Sequence, residues 1–140
     1  MELLIYVYLL LRDKPSCYYS CFVFLINVLF NWLHGEFLYG LLFFLLFVTS
    51  QFFYIYNDLV PFLLDQMAIF MVIFYGFIVF MTKKKTLVSS VLILSTFLTT
   101  LYLYFYGYLT DSYCYGMYEN ECHSALHVIS SIGHLAILFM

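Results

Sequence analysis

An all-α fold is what this sequence predicts: a polytopic bundle of about five transmembrane helices, in a single domain over residues 1–140. Two observations carry the prediction. Hydrophobic residues make up 66% of the chain and charged residues only 9%, against roughly 45–50% and 25% in soluble domains. So few charges cannot cover a water-facing surface, which excludes a soluble domain, a secreted disulfide scaffold and a disordered tail. The charges and turn residues also cut the chain into apolar stretches near the ~20 residues that a spanning helix needs. Net charge is −3 with only 5 Lys and Arg, so no basic patch exists for nucleic acid.

Residues 1–11 are apolar but short, and read as half a span or an interfacial segment. They lack the positive start and small-residue cleavage site of a signal peptide. Arg12, Asp13, Lys14 and Pro15 then break the chain. Span A covers residues 16–33, and His34, Gly35 and Glu36 make a tight polar turn. Span B covers 37–56, followed by Asn57, Asp58 and Pro61 as a second break. Span C covers 62–81, carries Asp65 near its start and ends at Lys83, Lys84 and Lys85. Span D covers 87–109, with Ser95, Thr96, Thr99 and Thr100 as packing residues. A polar loop over 110–122 leads to span E, residues 123–140.

These spans define two faces. Side Y holds the A/B turn and Lys83–Lys85; side X holds Arg12, Lys14, the B/C turn and the D/E loop. The positive-charge rule, three residues against two, puts side Y in the cytoplasm and side X in the lumen or outside. Cys17, Cys114 and Cys122 fall near side X, with Cys21 one turn deeper. They read either as small packing residues or as including a Cys114–Cys122 disulfide in an oxidising lumen.

Ionisable residues within spans are costly and point to function. Here they are Asp65, His123, His127 and His134, with Ser50 near the side-X end of span B. His123 and His127 are one helical turn apart on one face, a spacing that lets two imidazoles share a metal ion. The alternative is two interfacial histidines facing headgroups or water. His134 lies about 10 Å further along the axis than His127 and reads as a packing or proton-handling residue. Asp65 reads either as a helix N-terminal carboxylate or as a site residue, and Ser50 either as a packing hydroxyl or as its companion. All but His134 converge at one membrane depth, on three helices.

The stretch Ser50-Gln-Phe-Phe-Tyr54 … Leu63-Leu64-Asp65-Gln66-Met67-Ala68-Ile69 resembles the SxxxH … LLDE(L/M)A(I/M) segment of alkaline ceramidases. The fifteen residues from Ser50 to Asp65 match that family's spacing. Cys122-His123-Ser124-Ala125-Leu126-His127 … Gly133 is similar to the family's HAxWHxLxxxG. Its wider superfamily also holds adiponectin-receptor-like, haemolysin III-like and GPI-remodelling proteins. The family has seven spans. Five here imply a shortened form lacking two helices between span C and the last, which keeps Asp65 and the histidines on one side.

The resemblance implies a zinc-dependent amidase that cleaves ceramide to a sphingoid base and a fatty acid, in the endoplasmic reticulum or Golgi membrane. His123 and His127 are then zinc ligands, Asp65 the general base, and Ser50 the group that orients the water or stabilises the oxyanion. Tyr54 stands where the family has its third histidine, and phenolate oxygen suits zinc less well than imidazole. Asp58 is the nearest other carboxylate to Tyr54, and His34 is on the opposite side. The family's acidic calcium-binding stretch has no counterpart in residues 1–16. Two further readings stand beside the hydrolase. One is a catalytically degenerate member that binds lipid or a partner. The other is a small transporter or channel subunit, which requires a polar stripe through several spans; the sequence concentrates its polar residues at side X.

Overall fold

The computed structural model describes residues 16–56, 58–109 and 117–140, and all six elements in it are helices: α1 (Ser16–Ser20), α2 (Val23–Leu33), α3 (Phe37–Tyr56), α4 (Leu59–Thr82), α5 (Leu87–Leu109) and α6 (Met117–Leu138). Residues 1–15 and the side chains of Cys17, Cys114 and Cys122 lie outside the described residues, and with them the proposed disulfide. The fold is a helical bundle, as predicted. Three helices are long and apolar enough to cross a membrane: Phe37–Tyr56, Leu59–Thr82 and Leu87–Tyr106. Two shorter apolar helical stretches, Tyr18–Leu33 and His123–Leu138, accompany them. The chain is therefore an integral membrane protein by helix length and composition.

Span A is divided into α1 and α2 because the carbonyl of Tyr18 is taken by other donors. A continuous helix requires the Phe22 amide to bond the Tyr18 carbonyl. That carbonyl instead accepts from Cys21 Sγ at 2.9 Å and Gln51 Nε2 at 3.2 Å. The Phe22 amide moves to Tyr19 O at 3.2 Å, and the Phe24 and Leu25 amides also bond three residues back. The result is a tight turn that re-aims α2.

The predicted A/B turn is a Schellman motif. Gly35 takes φ +80°, the Gly35 amide bonds Trp32 O at 3.2 Å, and the Glu36 amide bonds Asn31 O at 2.8 Å. Asp58 caps α4 through Leu59 N at 2.7 Å. The helix therefore starts at Leu59 rather than residue 62, because Pro61 in the first turn lacks only an amide hydrogen that has no intrahelical partner there. Thr86 and Ser89 cap α5 reciprocally, with Ser89 N on Thr86 Oγ1 at 3.1 Å and Thr86 N on Ser89 Oγ at 3.0 Å. The last helix starts at Met117, inside the stretch predicted as loop.

α3 packs between α2 and α4, and α6 lies against α1, α2 and α5. Phe24, Val28, Tyr39, Phe43, Leu46, Phe53, Ala68 and Val72 fill the core. Only 6% of the α5 span is buried within the bundle, which leaves it an apolar outer surface matched to a bilayer. Gly133 lets α6 close on α5: a Cβ there is 2.5 Å from Thr96 Oγ1. At side Y, Lys83 Nζ donates to Leu138 O at 2.5 Å and ties the ends of α4 and α6 together. Tyr104 Oη, on α5, donates to Gln66 Oε1 on α4 at 3.0 Å.

Candidate functional site

Four helices bring polar side chains together in the half of the bundle nearer side X. On α3, Ser50 and Tyr54 are one turn apart and both are buried. Each organises a separate cluster.

The first cluster is built on Asp65. Ser50 Oγ donates to Asp65 Oδ1 at 2.5 Å, and Thr49 Oγ1 donates to the same oxygen at 3.3 Å. Asp65 is only 3% exposed, and burying a carboxyl demands hydrogen-bond partners. Two adjacent residues of α3 supply them. The reading of Asp65 as a helix N-terminal carboxylate is corrected: its side chain crosses to α3, and Asp58 holds the cap. Ser50 is likewise more than a packing hydroxyl.

The second cluster joins α3, α6 and α1. Tyr54 Oη lies 2.6 Å from His123 Nε2 and 3.2 Å from His127 Nε2. The two imidazole centroids are 4.4 Å apart, with the rings near perpendicular. Both histidines are buried, which overturns the interfacial alternative. Ser20 Oγ lies 2.8 Å from His127 Nδ1, and the Phe24 ring packs on the same imidazole at 5.1 Å. Asp58 does not reach this cluster, being exposed at the α4 cap, and His34 sits at side Y with Nδ1 2.8 Å from Phe30 O.

The donor set can be tested against a metal. Three atoms with lone pairs, His123 Nε2, His127 Nε2 and Tyr54 Oη, face one another at hydrogen-bond distances. Tyr54 Oη is within hydrogen-bond distance of both ring nitrogens. Ser20 on Nδ1 fixes the His127 ring as the outer partners of ligating histidines do. Among the described residues no group of three His, Cys, Asp or Glu is placed to hold an ion. Two imidazoles and a phenol meet at one point, Tyr54 Oη.

Deeper in the bundle lies a third group. Ser131 Oγ donates to Asn27 Oδ1, and Asn27 Nδ2 returns a bond to Ser131 O at 3.2 Å. Asn31 Nδ2 donates to Asn27 O at 2.7 Å. Tyr39 Oη pairs with His134 Nδ1. Ser20, Thr49, Asn27, Asn31, Tyr39 and Ser131 were all missed by sequence reasoning. A signal for some of them exists in the spacing: Ser20, Asn27 and Asn31 recur at helical intervals along one chain segment, and Ser131 follows His127 by one turn. No family model, curated protein or solved structure matches this chain.

Proposed function

We propose that the chain is a ceramidase-like, zinc-dependent membrane amidase of the endoplasmic reticulum or Golgi, cleaving ceramide to a sphingoid base and a fatty acid. One observation carries the reading: Tyr54 Oη converges with both imidazole Nε2 atoms, one helical turn from a buried Ser50–Asp65 pair. In this reading His123, His127 and Tyr54 hold the zinc. When bound, the ion polarises the amide carbonyl and lowers the pKa of water at the site. Asp65 takes a proton from the attacking water and delivers it to the departing amine nitrogen as the carbonyl–nitrogen bond breaks. Ser50 and Thr49 hold the Asp65 carboxylate in one orientation, so the base is positioned before substrate arrives. A buried site within lipid-facing helices suits a substrate that stays in the bilayer. Calcium has no part in this reading.

A catalytically degenerate, lipid-binding member is the second reading. It is favoured by the same phenol, which lies within hydrogen-bond distance of both imidazoles. The two are separated by the zinc content of detergent-purified protein, beside the His123→Ala/His127→Ala variant. The hydrolase reading expects about one zinc per chain, lost in the variant, and release of fatty acid from a fluorescent ceramide. Wild-type protein without zinc overturns it.

A further inference from the structure

The connection between α4 and α5 carries Lys83, Lys84 and Lys85 in succession, and we propose that it binds the headgroup of an anionic phospholipid. This goes beyond amide hydrolysis and shares no residue with it. α4 ends as a spanning helix at Thr82 and α5 begins as one at Leu87. The residues between them therefore lie where the hydrocarbon core gives way to headgroups. Among the described residues no carboxylate pairs with any of the three lysines; the partners of two of them are backbone carbonyls. Lys83 Nζ donates to Leu138 O. Lys85 Nζ donates to Met81 O at 3.2 Å and lies 5.0 Å from the centre of the Phe80 ring. Each of these bonds uses one of an ammonium group's three N–H donors and holds the charge at a helix end. Two donors remain on each, and Lys84 is exposed with no partner among the described residues.

Two features select a charged amphiphile rather than a free anion. The first is the unneutralised charge. A lysine at the membrane surface favours an anionic lipid by about fivefold, and three stand here side by side. Phosphatidylcholine offers the same phosphate, but its own quaternary ammonium cancels the attraction. The second is the apolar surface on both sides of the lysines. Phe77 and Met81 on α4, and Leu87 and Val88 on α5, are all exposed. α4 packs on α3 and α5 on α6, and neither contact covers these four side chains. A ligand seated at the lysines thus meets cations at one end and apolar side chains at the other. An acidic phospholipid matches both, whereas a soluble acidic peptide or a nucleic acid has nothing apolar to place. Thr86 and Ser89 add no specificity for headgroup shape, because their hydroxyls are spent on each other and on the α5 cap. Recognition is therefore by charge.

The test titrates the full chain in neutral detergent with phosphatidylglycerol or with phosphatidylcholine of the same acyl chains, and reads bound lipid by native mass spectrometry. Wild type is expected to bind phosphatidylglycerol at least about tenfold more tightly. Lys84→Gln/Lys85→Gln changes two exposed side chains. It is expected to elute as wild type in size exclusion, to lose about 25-fold in affinity for phosphatidylglycerol, and to bind phosphatidylcholine as before. Lys84→Arg/Lys85→Arg keeps the charges and is expected to keep the preference. Arg12→Gln/Lys14→Gln removes two positive charges elsewhere in the chain and is expected to bind as wild type. Equal affinity of wild type for the two lipids overturns the proposal. So does an equal loss in the two glutamine variants, which makes the preference a property of net charge. Displacement of the lipid by glycerol 3-phosphate at matched concentration overturns the lipid as occupant, since the anion alone then suffices.

Discussion

Tyr54 is the residue on which the chemistry turns, because its single oxygen meets both imidazole nitrogens. If that oxygen is a ligand, Tyr54→Phe lowers zinc affinity sharply, while Tyr54→His retains the ion or binds it more tightly. A zinc titration followed by a competing chromophoric chelator reads both. Ser20 acts through His127 Nδ1, so Ser20→Ala is expected to weaken zinc binding by about 10- to 100-fold without removing a ligand. Asp65→Asn retains the hydroxyl contacts from Ser50 and Thr49 and loses the base. Zinc content stays at the wild-type level and ceramide hydrolysis disappears. Equal loss of both in Asp65→Asn shows that Asp65 serves the metal site or the fold instead. At this scale the residue types were legible in the sequence. Which atom faces which was not, since Ser20 and Tyr54 reach the histidines from helices distant in sequence.

Helix boundaries follow from local chemistry, and they can be tested one at a time. Gly35 holds φ +80°, and a Cβ there meets nothing within 4 Å. Gly35→Ala therefore isolates the backbone cost of the left-handed conformation, about 1–2 kcal/mol, read as a lowered thermal midpoint in detergent. Gly133 presents the opposite case. Its Cβ collides with Thr96 Oγ1, so Gly133→Ala separates α5 from α6. Thr96→Ala, which removes that oxygen, is expected to recover most of the loss in a double-mutant cycle. The sequence announced the A/B turn and the lysine stop because these are short-range signals, but it placed the start of α4 at residue 62 and offered Asp65, not Asp58, as the carboxylate at its N-terminus. It did not announce the division of span A. The competitor for the Tyr18 carbonyl is partly Gln51, thirty-three residues away.

Over the whole molecule, the outer faces of α4 and α5 carry large exposed apolar side chains such as Phe70, Phe74, Leu87 and Leu98. In water this surface would aggregate; in a bilayer it is the solvent-matched face. The bundle puts the 34–36 turn and Lys83–Lys85 at one end and Asp58 at the other. In a background without native cysteines, His34→Cys and Lys84→Cys are expected to label with an impermeant maleimide from one side of a sealed vesicle. Asp58→Cys is expected to label only from the other. Labelling of all three from one side overturns the arrangement.

The sequence by itself determined that this is a helical membrane protein and that its chain turns at residues 34–36 and stops a helix at Lys83–Lys85. Those properties depend on composition, length and local turn chemistry. Only the tertiary structure decided which groups meet. The spans are apolar nearly all the way round, so periodicity carries little information about which face turns inward. Helix rotation is settled by packing: by Gly76 under His134 and Tyr39, Gly133 against Thr96, and the turn at Cys21 that re-aims α2. Through those contacts Asn27 meets Ser131 and Tyr39 meets His134, pairings between helices distant in sequence.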